Sequence, residues 1–535
     1  MSIVMPTYNS AEQWLRACLD SVLAQTWPHW ELCIADDGSS LATTRLTLDE
    51  YARRDSRIRV VLLGQNRGIA AASNSALAQV TGKYVALLDH DDELAPWALQ
   101  MIVRALAGRP DAALLYSDED KIDEAGRRYE PYFKPDWDPV LLMAQNYISH
   151  LSVYRTETLR TLGGFRVGFD GAQDWDLVLR ASEHVEARQF IHVPRVLYHW
   201  RAVEGSTARA MQSKDYAEGA QQRAVAERLR RTGTAATVSR VVKGAFLQID
   251  PVLTGALPRV SLVVLQRCSE RRSAAAARWD AYVREAGHDL AFVDALDAGM
   301  TAGHVDAAPP VLDQRAAAEV NAAVARMRGE VTVIVDGQLA PLASNWLDLL
   351  VRHAMQATVG AVGGLLFDAG MRTVHAGYMV DRDSIAASPY AGHPREWTKS
   401  TLRGGVVQTL SAVGLACLAV RQSLWERAGG LEIEALLTRY RDVDLCLRLE
   451  QAGYRNLWHP GVELAYALPL SPSADRHPAV SEADDADRRT MRRRWGARLA
   501  ADPAYNPNLS GPPTLFKLND FADLRGDFVP LSFNA

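Results

Sequence analysis

Cysteine is scarce in this 535-residue chain. The five residues, Cys18, Cys33, Cys268, Cys417 and Cys446, are scattered, odd in number and form no CxxC pair. That argues against a disulfide framework and against a thiolate zinc site. Also missing is a basic segment followed by an apolar run and a small-residue cleavage site. Ser2-Ile3-Val4-Met5 already reads as a strand, so no secretory signal is expected and the cytoplasm is the expected compartment. No apolar stretch approaches the length that crosses a bilayer, which leaves only peripheral or partner-mediated membrane association. Excess positive charge is absent as well. At a formal net charge of -5, nucleic acid is not an expected partner, because phosphate-backbone affinity is built from clustered Lys and Arg.

What is present is an ordinary globular balance, 48% hydrophobic against 23% charged, with length for about three domains of roughly 150 residues, or two large ones and a connector. Aliphatic runs at Ile3 to Met5, Glu31 to Ala35, Ile58 to Leu63 and Tyr84 to Leu88 alternate with helical patterns. This alternation predicts an α/β fold with a mostly parallel sheet. The first helix carries Leu15, Leu19, Val22 and Leu23 on one face, and Ser10 with Gln13 reads as its capping box. The expected units are 1–207, a helical connector 208–257, a second α/β unit 258–500 and a C-terminal tail 501–535.

The second unit repeats the first. Asn74, Gly82 and Asp89 are spaced as Asn321, Gly329 and Asp336 are, and each Asp closes an aliphatic strand. Gly163-Gly164-Phe165 followed by Asp174-Trp175-Asp176-Leu177-Val178-Leu179-Arg180 is answered by Gly429-Gly430-Leu431 and Asp442-Val443-Asp444-Leu445-Cys446-Leu447-Arg448.

Ligands of such sheets settle at the carboxyl ends of the strands, here Pro6-Thr7-Tyr8-Asn9, Asp36-Asp37-Gly38-Ser39 and Asp89-His90-Asp91-Asp92. The last is a set of hard oxygen ligands suited to Mg²⁺ or Mn²⁺ beside a diphosphate, or an acidic turn. Asp36 and Asp37 can accept a hydrogen bond from a pyrimidine N3–H or a ribose hydroxyl, or form an Asx turn. Arg67 precedes a small-residue helix whose N–H groups favour an anion. Asp174 opens an amphipathic helix, as a general base or as a cap. His199 in Tyr198-His199-Trp200-Arg201 is a metal or phosphate ligand, or structural. The basic run Arg488 to Trp495 reads as a solvated helix, with Asp484 and Asp485 one turn before Arg488 and Arg489.

Together and in this order, Thr7-Tyr8-Asn9, Asp36-Asp37-Gly38-Ser39, Asn66-Arg67-Gly68, Asp89-His90-Asp91-Asp92 and Gln173-Asp174-Trp175-Asp176 resemble a family 2 glycosyltransferase of the GT-A fold. Tyr116-Ser117-Asp118-Glu119-Asp120, Phe133-Lys134-Pro135-Asp136-Trp137 and Gln145-Asn146-Tyr147-Ile148 resemble bacterial members that build surface polysaccharides such as O-antigen. Asp442 to Arg448 with Asp502-Pro503-Ala504-Tyr505-Asn506-Pro507-Asn508-Leu509 looks like the close of a second such domain. The resemblance implies a Rossmann-like sheet in two tandem copies, with Pro6, Thr7, Tyr8, Asp36, Asp37, Arg67 and Asp89 binding a UDP- or dTDP-sugar. It further implies Asp89, Asp91 and His199 at Mn²⁺ or Mg²⁺, Asp174 as catalytic base, and inversion at the anomeric carbon. The implied acceptor is a growing glycan or lipid-linked glycan, with peripheral association at the inner membrane or with an assembly complex.

A non-catalytic glycan-binding scaffold is the alternative, and the convergent carboxylates of the first unit count against it. A nucleotidyltransferase ranks last, for want of a Gly- and Lys/Arg-rich loop after the first strand. The second unit is expected to be inactive: Asp336-Gly337-Gln338 stands where the first copy has Asp89 to Glu93, and Leu265-Gln266-Arg267-Cys268 replaces Pro6 to Asn9.

Overall fold

The fold is that of a computed structural model, which describes residues 1–202, 215–242, 246–256, 258–266, 279–280, 289–294, 312–401, 403–433, 437–466 and 482–509. Its strands are β1 (Ser2–Thr7), β2 (Glu31–Asp36), β3 (Ile58–Leu62), β4 (Tyr84–Leu87), β5 (Glu93–Leu94), β6 (Leu114–Ile122), β7 (Arg128–Tyr132), β8 (Ser152–Arg155) and β9 (Phe190–Arg201). There follow β10 (Ala236–Val242), β11 (Phe246–Pro251), β12 (Val260–Gln266), β13 (Asp289–Asp294), β14 (Val331–Asp336), β15 (Leu339–Pro341), β16 (Val359–Phe367) and β17 (Thr373–His375). The last are β18 (Met379–Asp381), β19 (Ile385–Ala387), β20 (Gln408–Leu410), β21 (Cys417–Arg421) and β22 (Arg455–Tyr466).

The first sheet runs β3-β2-β1-β4-β8-β6-β9-β5, with β7 on β6; the second runs β13-β12-β14-β21-β16-β22-β15, with β17 on β16 and β20 on β22. Strand by strand the two agree in sense. β1 is parallel to β2 and β4 as β12 is to β13 and β14. β8 and β21 enter antiparallel between their neighbours, and β6/β9 and β16/β22 are parallel. The chain is therefore a tandem α/β protein.

The repeated residues explain the repeated geometry. Asn74 Nδ2 donates to Phe165 O at 2.8 Å and Asn74 Oδ1 accepts the Phe165 N–H at 2.9 Å. Asn321 makes the same pair with Leu431, both at 2.8 Å. A side chain at Gly164 or Gly430, both of positive φ, would collide with the Asn amide oxygen, so glycine is required there. Asp176 pairs with Arg180 at 2.8 Å as Asp444 pairs with Arg448, and the arginines reach Gly164 O and Gly430 O, both at 2.7 Å. These acids are fully buried. The second Asp of each Asp-x-Asp run is thus an internal fastener.

Three local expectations are corrected. The helix Glu12–Leu23 is capped by Ala11 without a side-chain bond; Ser10 lies outside it, because Asn9 Oδ1 instead gathers the N–H groups of Ser40 and Leu41 at 2.8 and 3.1 Å and delays the helix start. The helix Glu482–Leu499 is not a merely solvated one: Met491, Trp495 and Leu499 enter the second core. Arg488 and Arg492 donate to the carbonyls of Asp383 and Arg382 at 2.9 and 2.6 Å. Residues 501–509 do not trail away but join both sheets. Asp502 accepts from Ser411 and the Val380 N–H at 2.7 and 2.6 Å, and Asn506 Nδ2 donates to Asp118 Oδ2 and Lys134 O, both at 2.9 Å.

The two halves pack directly. Asp138 accepts from Thr409 N and Oγ1 at 2.9 and 2.8 Å, and Val406 sits in the core of the first sheet. Between them lie the helix Asp215–Arg231 and the hairpin β10–β11. Among the described residues no helix is long and apolar enough to cross a membrane.

Candidate active site

The candidate residues assemble at the carboxyl ends of β1, β2 and β4. Thr7 and Asp36 are register partners, both buried, and Thr7 Oγ1 and Asp36 Oδ1 have no hydrogen-bond partner. Buried polar atoms are normally paired, so two neighbouring orphans at strand ends mark a place where a ligand can complete the bonding. Tyr8, beside them, is exposed.

Asp37 fastens a loop. Its Oδ1 and Oδ2 accept the N–H groups of Arg67 and Gly68, each at 2.9 Å. Each oxygen retains a further lone pair for a ligand. The Arg67 side chain is exposed and has no hydrogen bond or ion pair to the described residues. The helix Ile69–Leu77 does not present a bare N-terminus, as the sequence suggested: its Ala70 N–H is taken by Asp170 Oδ1 at 3.2 Å.

After β4, Asp89, Asp92 and His150 bring one potential ligand atom each within 4.8 Å of one another. Two carboxylates and an imidazole are a donor set that suits Mn²⁺, so the residues fit such an ion. Burial pushes the Asp89 carboxyl up; His150 and His90 pull it back, while Asp91 and Asp174 add to the rise. Burial likewise drives Asp92 well up, with Asp91 and Asp89 adding to it. Asp92 is also a strut: Oδ2 accepts from Tyr198 Oη at 2.6 Å and Oδ1 from the Arg201 N–H at 2.7 Å. Asp91, half-buried, flanks the trio without joining it.

His199 does not join it either. Its Nδ1 lies 2.5 Å from Asp120 Oδ1, and strand neighbours point to opposite faces, so Tyr198, not His199, turns toward Asp92 and the Asp89 N–H. His150 takes the place near the acids. Its ring stacks on Tyr198 at 4.5 Å, its N–H is held by Glu119 at 3.1 Å, and its carbonyl is held by Lys134. Lys134 is wholly buried and also bonds Glu119 at 3.0 Å and Ile148 O at 2.7 Å. No spacing in the sequence singled out His150.

Asp174 is the second residue of the helix Gln173–His184, and the cap position belongs to Ala172 without a side-chain bond. Its Oδ2 accepts from Asn146 Nδ2 at 2.7 Å and its Oδ1 takes the Trp175 N–H at 2.8 Å. It is half-buried, and its charge is felt at Asp89. The counterpart Asp442 is sealed instead: 2% exposed, bonded to the Leu415 and Val443 N–H groups at 3.1 and 2.8 Å, and pushed up to about 6 by burial. Asp336 is sealed too, accepting from the Gln338 N–H at 3.0 Å and Tyr466 Oη at 3.2 Å. Arg267 and Cys268 of the second entry loop lie outside the described residues.

Residues 2–163 match the model of glycosyl transferase family 2. Over that span the chain is similar to family 2 glycosyltransferases. The matched span holds the strand-end acids, Arg67 and His150 and stops short of Asp174. An uncharacterized protein of Sinorhizobium fredii, y4gI, is 37% identical over 97% of this chain and 58% of its own. The O-antigen biosynthesis protein RfbC of Myxococcus xanthus is 33% identical over 95% of this chain and 40% of its own. The chain thus spans about half the length of these relatives. Among solved structures, TarS 1–349 of S. aureus with UDP-GlcNAc aligns over 43% of this chain and 71% of that one, at 21% identity and a TM-score of 0.34. The matched span coincides with the copy in which the strand-end acids Asp89 and Asp91 stay partly exposed.

Proposed function

We propose that the first domain transfers a sugar from a UDP- or dTDP-sugar to a hydroxyl of a growing surface polysaccharide or lipid-linked glycan, with inversion at the anomeric carbon. The observation that carries this reading is the convergence of Asp174 with the Asp89, Asp92 and His150 trio beside the unpartnered Thr7 and Asp36 atoms. A scaffold has no use for like charges gathered at such cost. Thr7, Asp36 and Asp37, with Pro6 and Tyr8 around them, accept the base and ribose, and Arg67 lies against the phosphates. Asp89, Asp92 and His150, with Asp91 at the rim, would hold Mn²⁺ or Mg²⁺, which when bound neutralises charge on the departing diphosphate. Asp174, oriented by Asn146, takes the acceptor proton as the new bond forms. One displacement needs no carboxylate nucleophile, unlike a retaining glycosidase.

Similarity to an O-antigen biosynthesis protein supports a surface glycan as product. The test is nucleoside diphosphate release from a panel of nucleotide sugars with a glycan acceptor, in Mn²⁺, Mg²⁺ or EDTA. The reading expects one uridine or thymidine donor to be consumed, only with metal. Consumption of that donor at the same rate in EDTA would remove the metal from the account, and consumption of none would remove the transferase.

A further inference from the structure

A second group of metal-binding side chains lies far from the strand-end acids, where the connector hairpin meets the second sheet. Asp250 of β11, His353 of the helix Trp346–Ala354 and His459 of β22 each place a ligand atom within 4.8 Å of the others. His353 and His459 are 4% and 1% exposed, and Asp250 alone reaches solvent.

The distances are informative. Asp250 Oδ1 stands 3.6 Å from His353 Nε2 and 3.5 Å from His459 Nε2, too far for good hydrogen bonds. Ligands about 2.1 Å from a tetrahedral ion are about 3.4 Å from one another, which is close to this spacing. A second observation adds to the first: His353 Nε2 is buried without a hydrogen-bond partner, within 4.8 Å of a ligand atom of each of the other two. His459 is oversupplied with donors, since Gln248 Nε2 lies 3.0 Å from its Nε2 and the Gly461 N–H points at its Nδ1 from 3.0 Å. A neutral imidazole accepts at only one nitrogen.

We propose that Asp250, His353 and His459 form a structural metal site that takes Zn²⁺ and staples the β10–β11 hairpin to the second domain. Two imidazoles and one carboxylate match that ion's preference, and water completes the set. Ligation through His459 Nε2 puts the proton on Nδ1 and gives up the bond from the Gly461 N–H.

The full chain is stripped with EDTA, freed of chelator and titrated with Co²⁺ as a coloured stand-in for Zn²⁺. The expected result is one equivalent bound with the visible absorption of a tetrahedral site, displaced by Zn²⁺, and a Tm raised by Zn²⁺. Asp250→Asn, the milder change at a partly exposed position, and His353→Gln should each weaken binding about tenfold or more. Asp89→Ala should keep the tetrahedral signal, which separates this site from the strand-end acids and from the transferase reading. Absence of that signal in the parent, or binding by folded Asp250→Asn and His353→Gln as tight as the parent's, overturns the proposal.

Discussion

At the scale of the residue, Asp174 and Asp176 show how two acids one residue apart divide their work. Asp176 is fully buried and paired with Arg166 and Arg180, whereas Asp174 stays half-open and is bonded by Asn146 and by the Trp175 N–H, a pair that an Asn side chain can keep in part. Asp174→Asn should therefore fold with a Tm near the parent's, bind donor normally and lose about a hundredfold or more in kcat. Donor binding by calorimetry and single-turnover transfer check this; a fully active Asn variant would make the residue structural. The acids after β4 make a pH prediction. The folded-state values of Asp89 and Asp92 lie above their ordinary 3.8, so the folded chain binds more protons than the unfolded one in the window above 3.8. Stability of the metal-free protein thus falls as pH rises through that window. Mn²⁺ must displace those protons, so its stabilising shift in Tm should be larger at pH 7.5 than at pH 5; an equal shift at both would mean that it binds elsewhere. The carboxylates were legible in the sequence because they cluster after a strand. His150 was not, since a lone histidine in a loop has no period, and contacts distant in sequence, with Tyr198, Glu119 and Lys134, bring it to the acids.

At the scale of the element, the segment after the second domain acts as a strap. Asn506 answers both oxygens of buried Asp118 and the Lys134 carbonyl, and Lys134 in turn holds His150. Asn506→Ala removes its bonds to Asp118 and the Lys134 carbonyl while the Lys134 N–H, His192 and Asn508 still serve Asp118, and should cost about 1–2 kcal/mol, read as a lower midpoint in urea, with Asn506→Asp worse still through like charge. An unchanged midpoint would show that the strap is not a support. Alternation of strands and helices was readable because parallel strands buried on both faces appear as continuous aliphatic runs. The strap's destination was not, since Asn506's partners Lys134 and Asp118 lie 372 and 388 positions away. The same limit hid the burial of Met491 and Trp495, which the basic composition around them masked.

At the scale of the whole molecule, the duplication separates what folding needs from what chemistry needs. Both copies keep the Asn tether, the glycine beside it and the Asp–Arg fastener, and these survive in the sequence at matching positions. Among the described residues the first copy keeps Asp89, Asp91 and Asp174 partly exposed; in the second, Asp336 and Asp442 are sealed by Tyr466 and by backbone N–H groups. The shortened acidic loop was visible from the sequence. The sealing was not, because it depends on burial rather than on residue type. The central claim is that transfer occurs in the first domain only. Its most direct measurement is sugar transfer by full-length Asp336→Asn/Asp442→Asn beside Asp89→Asn, each checked for a cooperative melt. The account predicts parental rates for the double variant and a loss of about a hundredfold or more for Asp89→Asn. A folded double variant that binds acceptor and no longer transfers, with Asp89→Asn still active, would contradict it.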